Sequence, residues 1–334
     1  MIPSSRPELS PEMELLGLDP SGPKVVAIGG GHGLAAALEA VQGYASSITA
    51  VVSVADDGGS SGRLTARIGV PPPGDIRRCL LALTPEPSIW SELFAFRFEG
   101  GPDDPADLDA HDVGGHALGN LILAALADLA GDFAGAVRRA GELLGAVGTV
   151  VPASEEAIRL AAVVGGRRVD GQVAVARARG GVERLLLGPQ NVSAHPDAVA
   201  AIEAADQVIL GPGSLFTSVI AALSVPGITE AINRSHASVV IVLNLVTQDG
   251  ETLGLTGPDH VAAVHHHAGL LRPGGIVAHR GPLQVPEGLG AVEIEGDEAM
   301  DMGWDVTWDD VADPEAPWPA HDPMKLGRVL AKLA

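Results

Sequence analysis

Three short runs have the composition of anion-binding turns. Gly29-Gly30-Gly31-His32-Gly33-Leu34 follows a β-branched stretch at 24–28 and opens a helical pattern at Leu34, Leu38 and Val41. Glycines there let backbone N–H groups approach a phosphate, and the helix start adds donors and partial positive charge. Leu34 stands at the third glycine position of the dinucleotide fingerprint, so the run is not that motif. Asp56-Asp57-Gly58-Gly59-Ser60-Ser61-Gly62-Arg63 follows a second apolar stretch at 48–54. It reads as a second cradle with Arg63 as charge partner, and its paired aspartates suit ribose or sugar hydroxyls, or Mg²⁺ bridged to phosphate. Gly211-Pro212-Gly213-Ser214 follows a strand at 207–210 and leads into Thr217 and Ser218, whose hydroxyls can donate to anionic oxygens.

Further polar groups cluster around these turns. In Pro71-Pro72-Pro73-Gly74-Asp75-Ile76-Arg77-Arg78, Asp75 can cap a helix that carries Arg77 and Arg78 one turn in. Residues 56–78 hold three acids and four arginines, a slightly positive field suited to a phosphorylated ligand. His116 and Asn120 share a helix face, and Asn244 and Thr247 follow a strand end. Gly58-Gly59-Ser60-Ser61-Gly62 also satisfies GxSxG, but no triad context accompanies it. His260, His265, His266 and His267 lack a third clear metal ligand and read as surface or capping groups.

The elements that must position these residues alternate strand and helix. Strand, glycine turn, helix, strand opens a parallel α/β sheet, whose carboxyl edge is where such folds bind ligands. Helices are expected at 74–83, 89–98, 116–130, 132–145, 196–204, 215–223, 258–268 and 323–333, the last capped by Asp322. Strands are expected at 238–243 and 275–279. Glycine pairs at 165–166 and 180–181 separate short strand-like runs, so 147–188 reads as a small antiparallel insertion. The expected division is a flexible leader at 1–22, a Rossmann-like domain at 23–283 carrying that insertion, and an acidic segment with a terminal helix at 284–334.

Composition bounds the function. The chain has 334 residues and a formal net charge of −21, with 46% hydrophobic and 3% aromatic residues. Few aromatics and net negative charge argue against a nucleic-acid partner. The charge is confined: the first 22 residues, the stretch 99–112 and the stretch 284–324 account for all of it, and the remainder balances. One cysteine, Cys79, excludes an intrachain disulfide framework and fits a reducing cytosol. No signal peptide is read at the start, and the apolar stretches are too short to span a bilayer.

GGGHGL, VADDGGSSGRL, PPPGDIR, GHALGN, GPGSLFTS, NLVTQDGET and Asp259-His260 occur in one order, followed by HDPMKL at 321–326. The set resembles the CofD-like superfamily, specifically its gluconeogenesis-factor (YvcK) branch. That resemblance implies a Rossmann-like parallel sheet in a cytosolic protein that binds a nucleotide sugar such as UDP-N-acetylglucosamine. The branch is associated with gluconeogenic growth, cell shape and cell-wall precursor supply, and is better known for regulation than catalysis. Its transferase relatives move a phospholactyl or phosphoenolpyruvyl group from a nucleotide diphosphate onto a deazaflavin alcohol, with Mg²⁺. His32 replaces a common Thr, Arg78 a common Asn, Asp249 a common Pro and Leu255 a common aromatic that could stack on the ligand.

The expectation is therefore an α/β, Rossmann-like, mostly parallel sheet with helices on both faces and the antiparallel insertion, acting as a cytoplasmic UDP-sugar-binding regulator. Gly30, Gly31, Gly211, Gly213 and Ser214 would form the diphosphate cradle. Asp56 or Asp57 would hold hydroxyls or Mg²⁺, and Arg63 and Arg77 would neutralise phosphate. His32, Ser60, Ser61, Asp75, Asn120, Thr217, Asn244 and Thr247 complete the expected site. A Mg²⁺-dependent transferase is the alternative and an NAD(P)-binding oxidoreductase the third. A homo-oligomer is expected, with no nucleic acid and no membrane insertion.

Overall fold

The computed structural model describes residues 18–334 except 86, 101–112, 190 and 271. Most of the expected leader and of the acidic stretch 99–112 lies outside the described residues.

Alternation along β1 (Lys24–Gly29) divides the core. Val25 and Ala27 point into one apolar cluster, Val26 and Ile28 into another, so helices cover both faces. The first half runs α1 (Gly31–Val41), β2 (Ser47–Val52), α2 (Gly59–Ile68), α3 (Pro73–Ala82), α4 (Ile89–Ala95), α5 (Leu118–Ala130), α6 (Phe133–Leu144) and β3 (Thr149–Pro152). The insertion follows as β4 (Arg159–Val164), β5 (Arg167–Asp170), α7 (Gln172–Ala176) and β6 (Val182–Gly188). The second half runs α8 (Pro196–Glu203), β7 (Gln207–Leu210), α9 (π-helical Leu215–Ile220 continued by Ala221–Leu223), α10 (Ile228–Arg234), β8 (Ser238–Val242), α11 (Gly257–Ala268), β9 (Gly275–His279), α12 (Gly296–Asp301), β10 (Asp305–Asp309) and α13 (Pro323–Leu330).

The main sheet has the order β10-β9-β8-β7-β1-β2-β3, and every pairing in it is parallel. A second sheet, β5-β4-β6, is antiparallel. The fold class read from the sequence is thus observed, with differences of boundary, two of them in the main sheet. Residues 149–152 pair with β2 rather than joining the insertion, because their buried TVVP run extends the main sheet. Residues 305–309, read as aperiodic, form an edge strand; its two end aspartates are exposed and the three residues between them only half-buried, so its hydrophobic signal is weak.

α13 closes the structure against α1. Asp322 caps it by accepting from the N–H groups of Met324 and Lys325. A Cβ on Gly327 would lie 2.5 Å from the Ala40 carbonyl oxygen, so glycine is what permits this close packing. Just before this helix, His321 is buried and hydrogen-bonded to the backbone of Leu243; burial first, then His279, pushes its pKa from 6.5 down to about 4. The unfolded ring binds a proton below its ordinary pKa while the folded ring stays neutral. Stability should therefore fall as pH drops from about 6.5 towards 4, by up to about 3 kcal/mol from this group. Urea denaturation of the wild type and His321→Gln across that window should show a shallower pH slope in the variant; parallel slopes would exclude this role.

Candidate functional site

The turns after β1, β2, β7 and β8 leave the carboxyl edge of the parallel sheet, and the start of α3 packs against the first of them. Gly30 is extended and Gly31, at φ 70°, starts α1 in a left-handed conformation that favours glycine. A Cβ on Gly30 would lie 2.5 Å from Asp75 Oδ2, and one on Gly33 would lie 2.5 Å from the Pro212 carbonyl oxygen. The first turn therefore rests directly on the start of α3 and on the turn after β7. A Cβ on Gly31 would meet nothing within 4 Å, so the backbone there borders open space.

Asp75 and Arg78 form an ion pair at 2.5 Å at the start of α3. His32 is exposed at the head of α1; partial desolvation, with Arg78 and Arg77 nearby, holds its pKa below the ordinary value. Asp56 accepts from the Gly58 N–H at 2.9 Å and is hydrogen-bonded to Ser61. Burial first, and the neighbouring Asp75, raise the Asp56 pKa. These two carboxylates form the acidic corner of the site.

A buried polar chain runs behind this corner. Arg77 Nε donates to Asn120 Oδ1 at 3.1 Å, Asn120 Nδ2 donates to Ser60 Oγ at 3.0 Å, and Ser60 Oγ lies 2.9 Å from His116 Nδ1. A Cβ on Gly119 would lie 2.8 Å from Arg77 Cδ, so glycine gives the arginine stem its room. Arg77 also donates to the Phe94 carbonyl at 3.3 Å. Burial, then Arg78 and Arg97, lower its pKa to about 10, which leaves it cationic at neutral pH. Among the described residues no carboxylate forms an ion pair with it.

Other expected residues have protein partners. Asp57 accepts from the N–H groups of Gln172 and Val173 at 2.8 and 2.9 Å, capping α7 and tying the insertion to the second turn. Arg63 donates to the Gly114 carbonyl at 2.9 Å, on the side of the 113–116 turn, because Gly59 already starts a helix that rotates it there. Asn244 accepts from the Gly213 N–H at 3.0 Å and donates to the Gly213 carbonyl at 2.8 Å, clamping that turn. Gly211, at φ 75°, precedes it in the same turn. Thr247 Oγ1 accepts from the Gly290 N–H at 2.9 Å, anchoring the acidic segment.

The turn after β7 holds an unexpected anion of its own. Glu251 Oε1 accepts from the N–H groups of Phe216 and Thr217 at 2.6 and 2.7 Å, and Thr217 Oγ1 donates to Oε2 at 3.3 Å. Burial raises the Glu251 pKa, against these hydrogen bonds. The donors expected to meet a phosphate at Thr217 thus meet a protein carboxylate. Glu251 was not singled out in the sequence; its only signal there is an acid in the polar run after β8, and nothing in spacing pairs it with residue 216. Gln248 Nε2 donates to Ser214 Oγ at 3.1 Å, so Ser214 is also held from this loop. Leu255 packs, half-buried, against the apolar core.

The family described as 2-phospho-L-lactate transferase CofD matches residues 25–309. The chain belongs to the CofD family. Within that family it is 36% identical to the gluconeogenesis factor of Bacillus subtilis over 93% of this chain and 98% of the relative. It is 40% identical to that of Halalkalibacterium halodurans over 78% of each. A Nostoc relative is 45% identical over 73% of this chain but only 52% of its own length, so the chain spans about half of that longer protein. A crystal structure from Bacillus halodurans superposes with a TM-score of 0.86 at 35% identity, covering 93% of this chain and 99% of that one. A second, titled as a UPF0052 family member, gives 0.85. In this CofD-family chain, Asp57→Ala should release the start of α7. Hydrogen exchange should rise across residues 172–179, with a loss of about 1–2 kcal/mol typical of a lost cap. Unchanged exchange there would show that Asp57 does not anchor the insertion.

Proposed function

We propose that the chain is a gluconeogenesis-factor-type regulator that binds a nucleotide sugar of the UDP-N-acetylglucosamine class in the cytoplasm. In this reading it links gluconeogenic carbon use to cell shape and cell-wall precursor supply. The observation that carries the reading is Arg77. It is a buried cation, held in place by Asn120, close enough to His32 at the head of α1 to help lower the pKa of that ring, and in no ion pair among the described residues. A buried charge is costly unless paired, and a ligand diphosphate is a fitting counter-ion.

Gly30, Gly31, Gly213 and Ser214 would approach that diphosphate, and Asp56 would hold sugar or ribose hydroxyls. Glu251 narrows the pose. Its carboxylate occupies the Phe216 and Thr217 N–H groups, so the phosphates would lie along the first turn and reach no further into the third than Gly213 and Ser214. Leu255 offers apolar contact where a ring would stack, so base affinity falls by about 1 kcal/mol relative to an aromatic at that position.

A transferase is the second reading, favoured by the description of the matching family and by Asp56 beside Asp75. Asp56 is the residue that would carry Mg²⁺ with a phosphorylated donor, since Asp57 caps α7. Among the described residues no group of three or more His, Cys, Asp or Glu is placed to hold a metal by itself, so phosphate oxygens would have to complete the shell.

Differential scanning fluorimetry with UDP-N-acetylglucosamine, UDP and Mg²⁺ tests both readings. At a hundredfold excess over Kd a true ligand adds about 2.7 kcal/mol, a readily measured shift. Arg77→Met should weaken nucleotide-sugar binding at least about tenfold, the loss expected for a charge-assisted contact. No shift with any UDP-sugar would sink the regulator reading. Turnover of a nucleotide-diphosphate donor that Asp56→Asn abolishes would establish the transferase instead.

A further inference from the structure

The insertion has the opposite charge to the rest of the chain. Residues 157–188 carry Arg159, Arg167, Arg168, Arg177, Arg179 and Arg184 against Asp170 and Glu183, in a protein of net charge −21. All six arginines are exposed. Two have acidic partners, Arg168 with Asp170 at 2.6 Å and Arg179 with Asp249 at 3.1 Å. Among the described residues the other four form no ion pair.

The register places three of these arginines on one face. Val163 lies opposite Arg168 on β5 and Arg184 on β6, and Ala161 lies opposite Asp170 and Leu186. Arg159, two residues further along β4, shares that face. The opposite face carries Ala162, Val164, Val169 and Leu185 and packs on α7 through Val175. The arginine face is therefore the outer one, and Arg159, Arg168 and Arg184 are exposed on it.

We propose that this outer face docks on the acidic 284–324 segment of a second copy of the chain. That segment holds twelve acids and no lysine or arginine. Glu293, Glu295, Asp297, Glu298, Asp301 and Asp305 are exposed along it. It contains β10, which forms one edge of the main sheet, whereas the insertion departs from β3 at the other edge. Two different patches meet in such a contact, so the assembly is head-to-tail and closes as a ring or extends as a filament. Exposed ion pairs contribute little singly and are screened by salt, so the contact acts through several pairs at once.

Sedimentation equilibrium of the full chain tests this at about 50 and 500 mM salt, where screening differs strongly. Self-association at low salt that weakens at high salt is expected. The triple variant Arg159→Glu, Arg168→Glu, Arg184→Glu should weaken it at least about tenfold. The triple variant Asp297→Lys, Glu298→Lys, Asp301→Lys should do the same, with both melting like the wild type. Mixing the two variants should restore association, because each reversed patch then finds its complement. A monomer at every concentration, or an oligomer indifferent to both variants, overturns the proposal. So does a monomer whose arginine face binds vesicles of anionic phospholipid or RNA.

Discussion

The first turn of α1 rests on the turn after β7 with no side chain between them. A Cβ on Gly33 would sit 2.5 Å from the Pro212 carbonyl, and one on Gly30 would sit 2.5 Å from Asp75. β1 and β7 are neighbours in the sheet, so the two turns leave it side by side. Their contact fixes where α1, α3 and the 211–217 turn can lie. Every candidate ligand group then follows: Gly31 faces open space, Asp75 and Arg78 stand beside His32, and Gly213 is within reach of the Asn244 amide.

Around that contact the protein uses its own carboxylates as anions. Glu251 fills the start of α9, where a short sequence motif suggests a ligand oxygen, and Asp57, from a turn read as ligand-binding, caps α7 instead. Both have a mechanical consequence. Asp57 joins the second turn to the insertion, while Asp249 pairs with Arg179 and Gly250 packs against Ala176 and Arg177. The insertion is therefore held from two of the loops that border the candidate site, and a ligand that moves either loop will move α7.

Charge is divided among modules rather than spread evenly. The acids concentrate in the segment 284–324 that carries α12 and β10, the arginines in the insertion, and the catchment of the glycine turns is close to neutral. Long-range repulsion of a phosphorylated ligand by the net charge is screened over about 8–10 Å at physiological salt. The local arginines decide what the site sees, and of these Arg77 is buried while Arg63 turns away to Gly114.

Much of the framework was legible in the sequence. Strands at 207–210 and 275–279, the cap at Asp322 and the turns after β1, β2 and β7 are local consequences of β-branched runs, glycines and a capping acid. These depend on residues a few positions apart, and periodicity reports them. The order β10-β9-β8-β7-β1-β2-β3, the parallel edge strand at 305–309 and the assignment of each polar group depend on long-range closure. Asp56 and Asp57 are adjacent and identical in type, yet one borders the site and the other caps a helix 115 residues away. The sequence by itself determined which turns could bind an anion. Only the tertiary structure decided which of them a protein carboxylate already fills, because that depends on which distant acid the packing brings within hydrogen-bond reach.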